Sequence, residues 1–367
     1  MSDRSRLRLT LLLRLTIAFV LAGVACAALT GGSPFGASSA ALCTRYAATG
    51  GSDAGSGTKA RPFKTAQRLA DSLHRGETGC LRAGSYRASS GIFVLELAHG
   101  GSLRAPITIR SYPGERARIV GSVDVSSTAN NVRLFQLDFE GLGGMNTVKI
   151  YSRNVILSDS DITNSWRGLS CLILGNNSGG GQAVRTIVRR NRFHECGSPA
   201  NLNEDHAIYA ANVIDAKIID NVIYDIQAYA IQFFPNAQRV LFGHNVVDGD
   251  GPSVRGGVIF GGDETYGSND NVVERNIVSY ARTDNIGSWW GGAVGKGNVA
   301  RFNCVWQGQS ENVDTRNGGF RSIANTVADP LFVNRAQGNF RLQRGSRCLK
   351  VVGYDTAALL RRRAHGR

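Results

Sequence analysis

One polar side chain returns at the same place among short apolar strands, and it limits this chain to few architectures. Asn191 closes Ile187-Val188-Arg189-Arg190-Asn191, and Asn221, Asn245, Asn276 and Asn303 hold the same place in 218–223, 241–247, 272–278 and 299–305. Asp138 and Asp161 read as earlier occupants of that slot, so it recurs every 23 to 31 residues. Strands of four to six residues at that period, with almost no helical pattern after residue 75, define an all-β parallel solenoid. Its coils stack at about 4.8 Å, and each Asn amide is satisfied by the Asn of the next coil. Leucine-rich repeats would need Leu-x-x-Leu-x-Leu, and a sandwich would need many hairpin turns; neither pattern is present.

A second strand column aligns Ser170-Cys171-Leu172-Ile173, His206-Ala207-Ile208-Tyr209, Tyr229-Ala230-Ile231-Gln232, Gly256-Gly257-Val258-Ile259 and Asp284-Asn285-Ile286-Gly287. If Leu172, Ile208, Ile231, Val258 and Ile286 face inward, period-two alternation sends Tyr209, Gln232 and Ile259 outward on one face. Asp205 and Arg255 fall on that side, which makes it the candidate working surface. The same alternation turns His206 inward unless the strand begins after it.

The ends depart from the repeat. Thr65 is a plausible N-cap for a helix over 66–74, with Leu69, Ala70 and Leu73 on its apolar face, placed to cover the first coil. The solenoid is expected over 42–353, with an N-terminal cap at 42–90 and a C-terminal cover at 322–353. Residues 354–367, rich in Arg, read as a disordered basic tail.

Residues 1–41 read as an export signal. Four Arg precede the apolar run from Leu15 to Leu29, which is shorter than the roughly 20 residues that a spanning helix needs. The expected location is therefore secreted, with no stable membrane insertion after cleavage. Outside this segment lie Cys43, Cys80, Cys171, Cys196, Cys304 and Cys348. An even number in an exported chain favours disulfides; six Cys allow about 15 pairings, which the sequence leaves open, and the order-of-appearance set is the expected one because each pair would staple neighbouring coils. With 42 basic against 28 acidic residues, the formal charge is +14. That charge suits a polyanionic partner, but the basic residues are scattered without interleaved aromatics, which argues against nucleic acid.

Gly50-Gly51-Ser52-Asp53, Pro62-Phe63-Lys64-Thr65, Leu81-Arg82-Ala83-Gly84-Ser85-Tyr86, Tyr112-Pro113-Gly114-Glu115 and Asp329-Pro330-Leu331-Phe332 resemble secreted bacterial right-handed parallel β-helix proteins of the pectate-lyase-like superfamily. The resemblance runs from about Cys43 to Gly353. It implies a single-stranded right-handed β-helix and a carbohydrate-active protein, here expected as a monomer acting on an acidic polysaccharide. Lyases and C5-epimerases of uronans remove the proton α to a carboxylate, which requires a base and a cation on that carboxylate.

The densest polar segment, Asn203 to Tyr209, supplies an expected acid/base pair, Tyr209 and His206, with Arg255 neutralising the substrate carboxylate. Asp205, Asp263 and Glu264 are the expected Ca²⁺ ligands, being hard oxygen donors. Gln232, Trp289 and Trp290 are expected to contact sugar. Structural readings stand beside these: a hydrogen-bonded strand-end histidine, turn carboxylates next to Gly261-Gly262, and a tryptophan in the core or cover. A glycoside hydrolase is disfavoured, because no Asp-Asp step supplies the paired carboxylates. The competing class is a non-catalytic carbohydrate-binding or cell-surface structural protein.

Overall fold

The computed structural model describes residues 43–200, 205–251, 255–353, 355–358 and 360. The expected export signal lies outside them, as do Asn203, Glu204 and the terminal 361–367. Each coil visits three sheets in turn. Ile187–Arg189, Arg192–Phe193 and Ile208–Ile214 make one coil, and Lys217–Ile219 begins the next by pairing in register on Ile187–Arg189. Among the described residues these strands form parallel sheets of eleven, ten and nine strands, the three sides of a β-helix.

Two devices at one corner hold the rungs together. Asn191, Asn221, Asn245 and Asn276 each donate their side-chain amide to the Oδ1 of the next Asn at 3.0–3.1 Å, and Asn303 extends the row to Asn325 at 2.9 Å. The same amides also donate to carbonyls of the preceding coil, such as Leu157 and Val188. A buried polar group is thereby fully partnered, and removing it would leave its neighbours unsatisfied. The residue before each ladder Asn is left-handed: Arg190, Asp220, His244, Arg275, Phe302 and Ala324 have φ of 50–60°. That conformation costs a non-glycine residue of order 1 kcal/mol or more, and the ladder behind it holds the corner in shape.

This geometry corrects the early part of the repeat. Asp161 pairs in register with Arg192, one position past Asn191, and Asp138 pairs with Asp161. Ser160 fills the ladder slot instead: its N–H donates to Asn191 Oδ1, and its Oγ accepts from the Leu137 N–H. A one-residue offset flips the face, so Asp138 and Asp161 point outward. The ladder also runs one rung further than expected, because Phe320–Ile323 and Thr326–Val327 still pair in parallel.

The interior is aliphatic with aromatic stacks. Phe233 and Phe260 lie 5.3 Å apart, and Phe260 and Phe320 5.0 Å apart. Leu172, Ile208, Ile231, Val258 and Ile286 are all buried, as the alternation required. At the N-terminal end Thr65 caps the helix Ala66–Asp71, whose Ala66, Leu69 and Ala70 are buried over the first coil.

At the other end a second apolar cluster joins Phe340, Leu342 and Val352 to Val222, Val246 and Ile277 on the outer face of the ten-stranded sheet. Arg335 fastens this cover by bonding Asp248 at 2.7 and 2.9 Å and Asp250 at 2.6 Å. The described residues 355–358 and 360 are packed rather than frayed: Asp355 accepts from the Leu342 N–H, and Thr356 donates to the His244 carbonyl. Disulfides join Cys43 to Cys80, Cys171 to Cys196 and Cys304 to Cys348, which is the order-of-appearance pairing. No described helix is long and apolar enough to cross a membrane.

Candidate functional site

The outward residues of the nine-stranded sheet are fixed by register. Lys149 pairs with Ile173, Ile173 with Tyr209, Tyr209 with Gln232, Gln232 with Ile259 and Ile259 with Gly287. Over the middle of this column lies a groove of about 680 Å³. Its lining includes six residues expected from sequence: Asp205, His206, Tyr209, Gln232, Arg255 and Trp289. Tyr229 and Phe234 line it too and were missed. The signal for Tyr229 was present, since the strand alignment already set it level with His206.

His206 is the floor. It precedes the strand and is buried, its N–H donating to Ser170 Oγ at 3.1 Å. Its Nδ1 accepts from the Tyr229 N–H at 3.4 Å, and its side chain also hydrogen-bonds that of Gln232. Burial pushes its pKa down to about 4 against the opposing pull of Gln232. The ring is therefore neutral at ordinary pH and weakly basic. The rings of Tyr209 and Tyr229 stand 5.3 and 5.6 Å from it.

Arg255 lies over the Tyr229 ring, with its Cζ 5.9 Å from the centroid, and hydrogen-bonds that side chain. Burial raises the Tyr229 pKa, while the Arg255 charge opposes the rise. Beyond Gln232, Phe234 and Trp289 approach to 5.9 Å. Gly261, opposite Trp289, permits this, because a Cβ there would sit 3.1 Å from the Phe234 ring. Trp289 is 53% exposed, an open aromatic face of the kind that stacks on a sugar ring.

Two expectations are corrected. Trp290 does not line the groove; its indole N–H donates to the Gly318 carbonyl and its ring packs against the core. Asp205, Asp263 and Glu264 do not converge as metal ligands. Asp205 is buried and accepts from the Ser198 N–H, and Asp263 accepts from the N–H groups of Thr265 and Tyr266 in its own turn. Neither Asp263 nor Glu264 lines the groove. Among the described residues no three His, Cys, Asp or Glu side chains are placed to hold a metal ion. His206, expected as half of an acid/base pair, is buried under the groove, with its Nδ1 accepting from the Tyr229 N–H.

A second groove, of about 840 Å³, crosses the ten-stranded sheet. The paired carboxylates absent from the sequence pattern are here, with Asp138 stacked on Asp161. Arg116 bridges to Asp138, Arg118 pairs with Glu140, and Arg190 meets Asp159 at 2.8 Å. His194 meets Asp161 at 2.7 Å and stacks on Tyr224. Burial raises the Asp138 pKa against Arg116. At Asp161 burial is outweighed by His194 and the nearby arginines, so its pKa falls.

No family model matches the chain. A stretch of 76 residues is 34% identical to the uncharacterized protein YwoF of Bacillus subtilis (strain 168), covering 21% of this chain and only 15% of that protein. Among solved structures the chain is similar to pectate lyase Pel9A, with TM-score 0.57, 11% identity, and 83% of this chain and 90% of that one covered. It is also similar to XylC in complex with xylose (0.59, 12%, 77% and 70%) and to a rhamnogalacturonan lyase (0.55, 12%, 86% and 100%). At such identities the likeness shows the fold alone, a right-handed parallel β-helix.

Proposed function

We propose that this chain is an exported carbohydrate-active enzyme that cleaves an acidic polysaccharide by β-elimination in the groove of the nine-stranded sheet. The observation that carries the reading is the placing of Tyr209 beside the Arg255–Tyr229 pair in a groove with an open tryptophan at one end. A uronate unit lies with its carboxylate toward Arg255. Tyr209, as phenolate, takes the proton α to that carboxylate. The freed electron pair forms the 4,5 double bond, the bond from C4 to the glycosidic oxygen breaks, and Tyr209 returns its proton to the departing oxygen. Arg255 stabilises the charge that builds on the carboxylate, worth most in a partly dry groove.

His206 is a positioning residue in this scheme. It fixes the Gln232 amide and the wall between the two tyrosines. Trp289 and Phe234 hold the neighbouring sugar. Because the three carboxylates expected to bind Ca²⁺ do not converge, charge neutralisation falls to Arg255. Three disulfides and the apolar leader fit an oxidising compartment outside the cytosol.

The test is ultraviolet absorbance of the unsaturated uronate after incubation with alginate, pectate and glycosaminoglycans, with and without Ca²⁺ or a chelator. One substrate is expected to give product at a chelator-insensitive rate. Binding without any product on the whole panel, with epimerisation excluded by proton NMR, would replace the enzyme with a carbohydrate-binding module.

A further inference from the structure

The outward column that carries Tyr209 does not end at the groove. It continues through Ile173 to Lys149, then to Asp124 and Glu96. Two rungs separate Tyr209 from Lys149, about 10 Å at the usual spacing of strands. Lys149 is only 7% exposed, and its ammonium rests on the Phe93 ring, 4.6 Å from the centroid. Among the described residues no hydrogen bond or ion pair joins it to a carboxylate; Asp124 and Glu96 act on it through space. Asp124 Oδ1 is buried with no hydrogen-bond donor.

An ammonium lacking an acceptor beside a carboxylate lacking a donor is an expensive arrangement to keep in a folded rod. The two vacancies are complementary to one kind of ligand. A sugar acid offers a carboxylate to Lys149 and a hydroxyl to Asp124, and Phe93 walls its ring. Burial lowers the Lys149 pKa and raises that of Asp124, each against the pull of the other, so both gain from a ligand that completes their bonding.

We propose that Lys149 and Asp124 form a second uronate subsite on the face that carries Tyr209, so that the groove takes a longer acidic chain running toward the N-terminal coils. This rests on the reading of the groove as a uronan site. It makes Lys149 a determinant of substrate length rather than a catalytic residue.

The experiment is kcat/KM against chain length for oligogalacturonates and oligomannuronates of two to eight units, for the wild type, Lys149→Met and Asp124→Asn. The wild type is expected to gain with length once the chain spans both sites. Each substitution should remove that gain, about tenfold on the longest chains, and leave the shortest cleaved substrate unchanged. Equal loss at every length, or no loss at any, overturns the subsite. Circular dichroism melting identifies a variant that fails to fold; should Lys149→Met do so, Asp124→Asn, which keeps its side-chain shape, decides alone.

If the wild type cleaves nothing, calorimetry with the octamers separates the two ideas. Weaker binding by Lys149→Met keeps the subsite and removes the lyase, whereas unchanged or undetectable octamer binding removes the subsite as well.

Discussion

The two grooves of this rod differ in how their polar groups are spent. On the ten-stranded sheet the lining carboxylates answer one another's counter-charges: Arg116 with Asp138, Arg118 and Arg167 with Glu140, Arg190 with Asp159, and His194 with Asp161 and Glu195. That groove is the larger one, yet its charges are neutralised from within. On the nine-stranded sheet the lining is aromatic, one arginine lies over a tyrosine ring, and a histidine is held neutral beneath. Size is therefore a poor guide to the site. A surface whose charges pair with one another has less to offer a sugar than one that presents an open indole in an aromatic lining.

The sharpest way to break this contrast is Tyr209→Phe. Loss of the proton carrier should lower the elimination rate by about a hundredfold or more, while the melting temperature stays within error, because the half-buried ring remains. Steady-state absorbance kinetics with calorimetric melting checks both. An active Tyr209→Phe enzyme would remove Tyr209 from the chemistry.

The histidines of the two grooves should respond to pH with opposite signs. His206, with its pKa pushed down to about 4, refuses a proton that the unfolded chain accepts below its ordinary value of 6.5. Stability should fall as pH drops between those values, by at most about 1.4 kcal/mol per pH unit for the single proton. His194 is raised: burial lowers its pKa, but Asp161 more than compensates. Its contribution is complete below its unfolded pKa and is lost as pH rises through the folded one. Melting temperature against pH should therefore lose its acid limb in His206→Asn and its neutral limb in His194→Asn. The same limb lost in both variants would mean that the two histidines share one environment.

Much of the architecture was legible because one rule, an amide per coil, is written five times in Asn191, Asn221, Asn245, Asn276 and Asn303. The outward face was legible for a related reason: with Ile208, Ile231, Val258 and Ile286 turned inward, Tyr209 and Gln232 had only one direction left. One error arose where the sequence is indifferent to a shift by one residue. Asp138 and Asp161 sit one position from the ladder slot, and nothing local distinguishes an aspartate inside a corner from one beside it. Trp289 and Trp290 are adjacent and identical and each faces a glycine, but the alternation that turns Ile286 inward sends Trp290 to the core side and Trp289 outward, a signal the expectation did not use. The Ca²⁺ set required distant loops to converge, which no spacing encodes.

Trp289→Ala sharpens the comparison on the binding side. Removing a half-exposed aromatic platform should weaken saccharide binding by about 1 kcal/mol, near fivefold in KM, with kcat little changed. Kinetics on the cleaved polymer checks it; a fall in kcat alone would put Trp289 in the chemistry instead of in the grip on the next sugar.

The smallest effect is expected in the groove that looks most like an active site. Asp161→Asn removes one charge from a partly exposed network in which His194, Arg192 and Arg116 share the load. Such pairs are worth at most about 1 kcal/mol, so the melting temperature should drop slightly and turnover should not change. The carboxylates of Asp138 and Asp161 are pushed in opposite directions, as an acid and a base would be, so the prediction is not empty. If Asp161→Asn abolished hydrolysis of any glycan while Tyr209→Phe left it intact, the self-neutralised groove would be the working one, and polar satisfaction would be the wrong criterion for choosing between them.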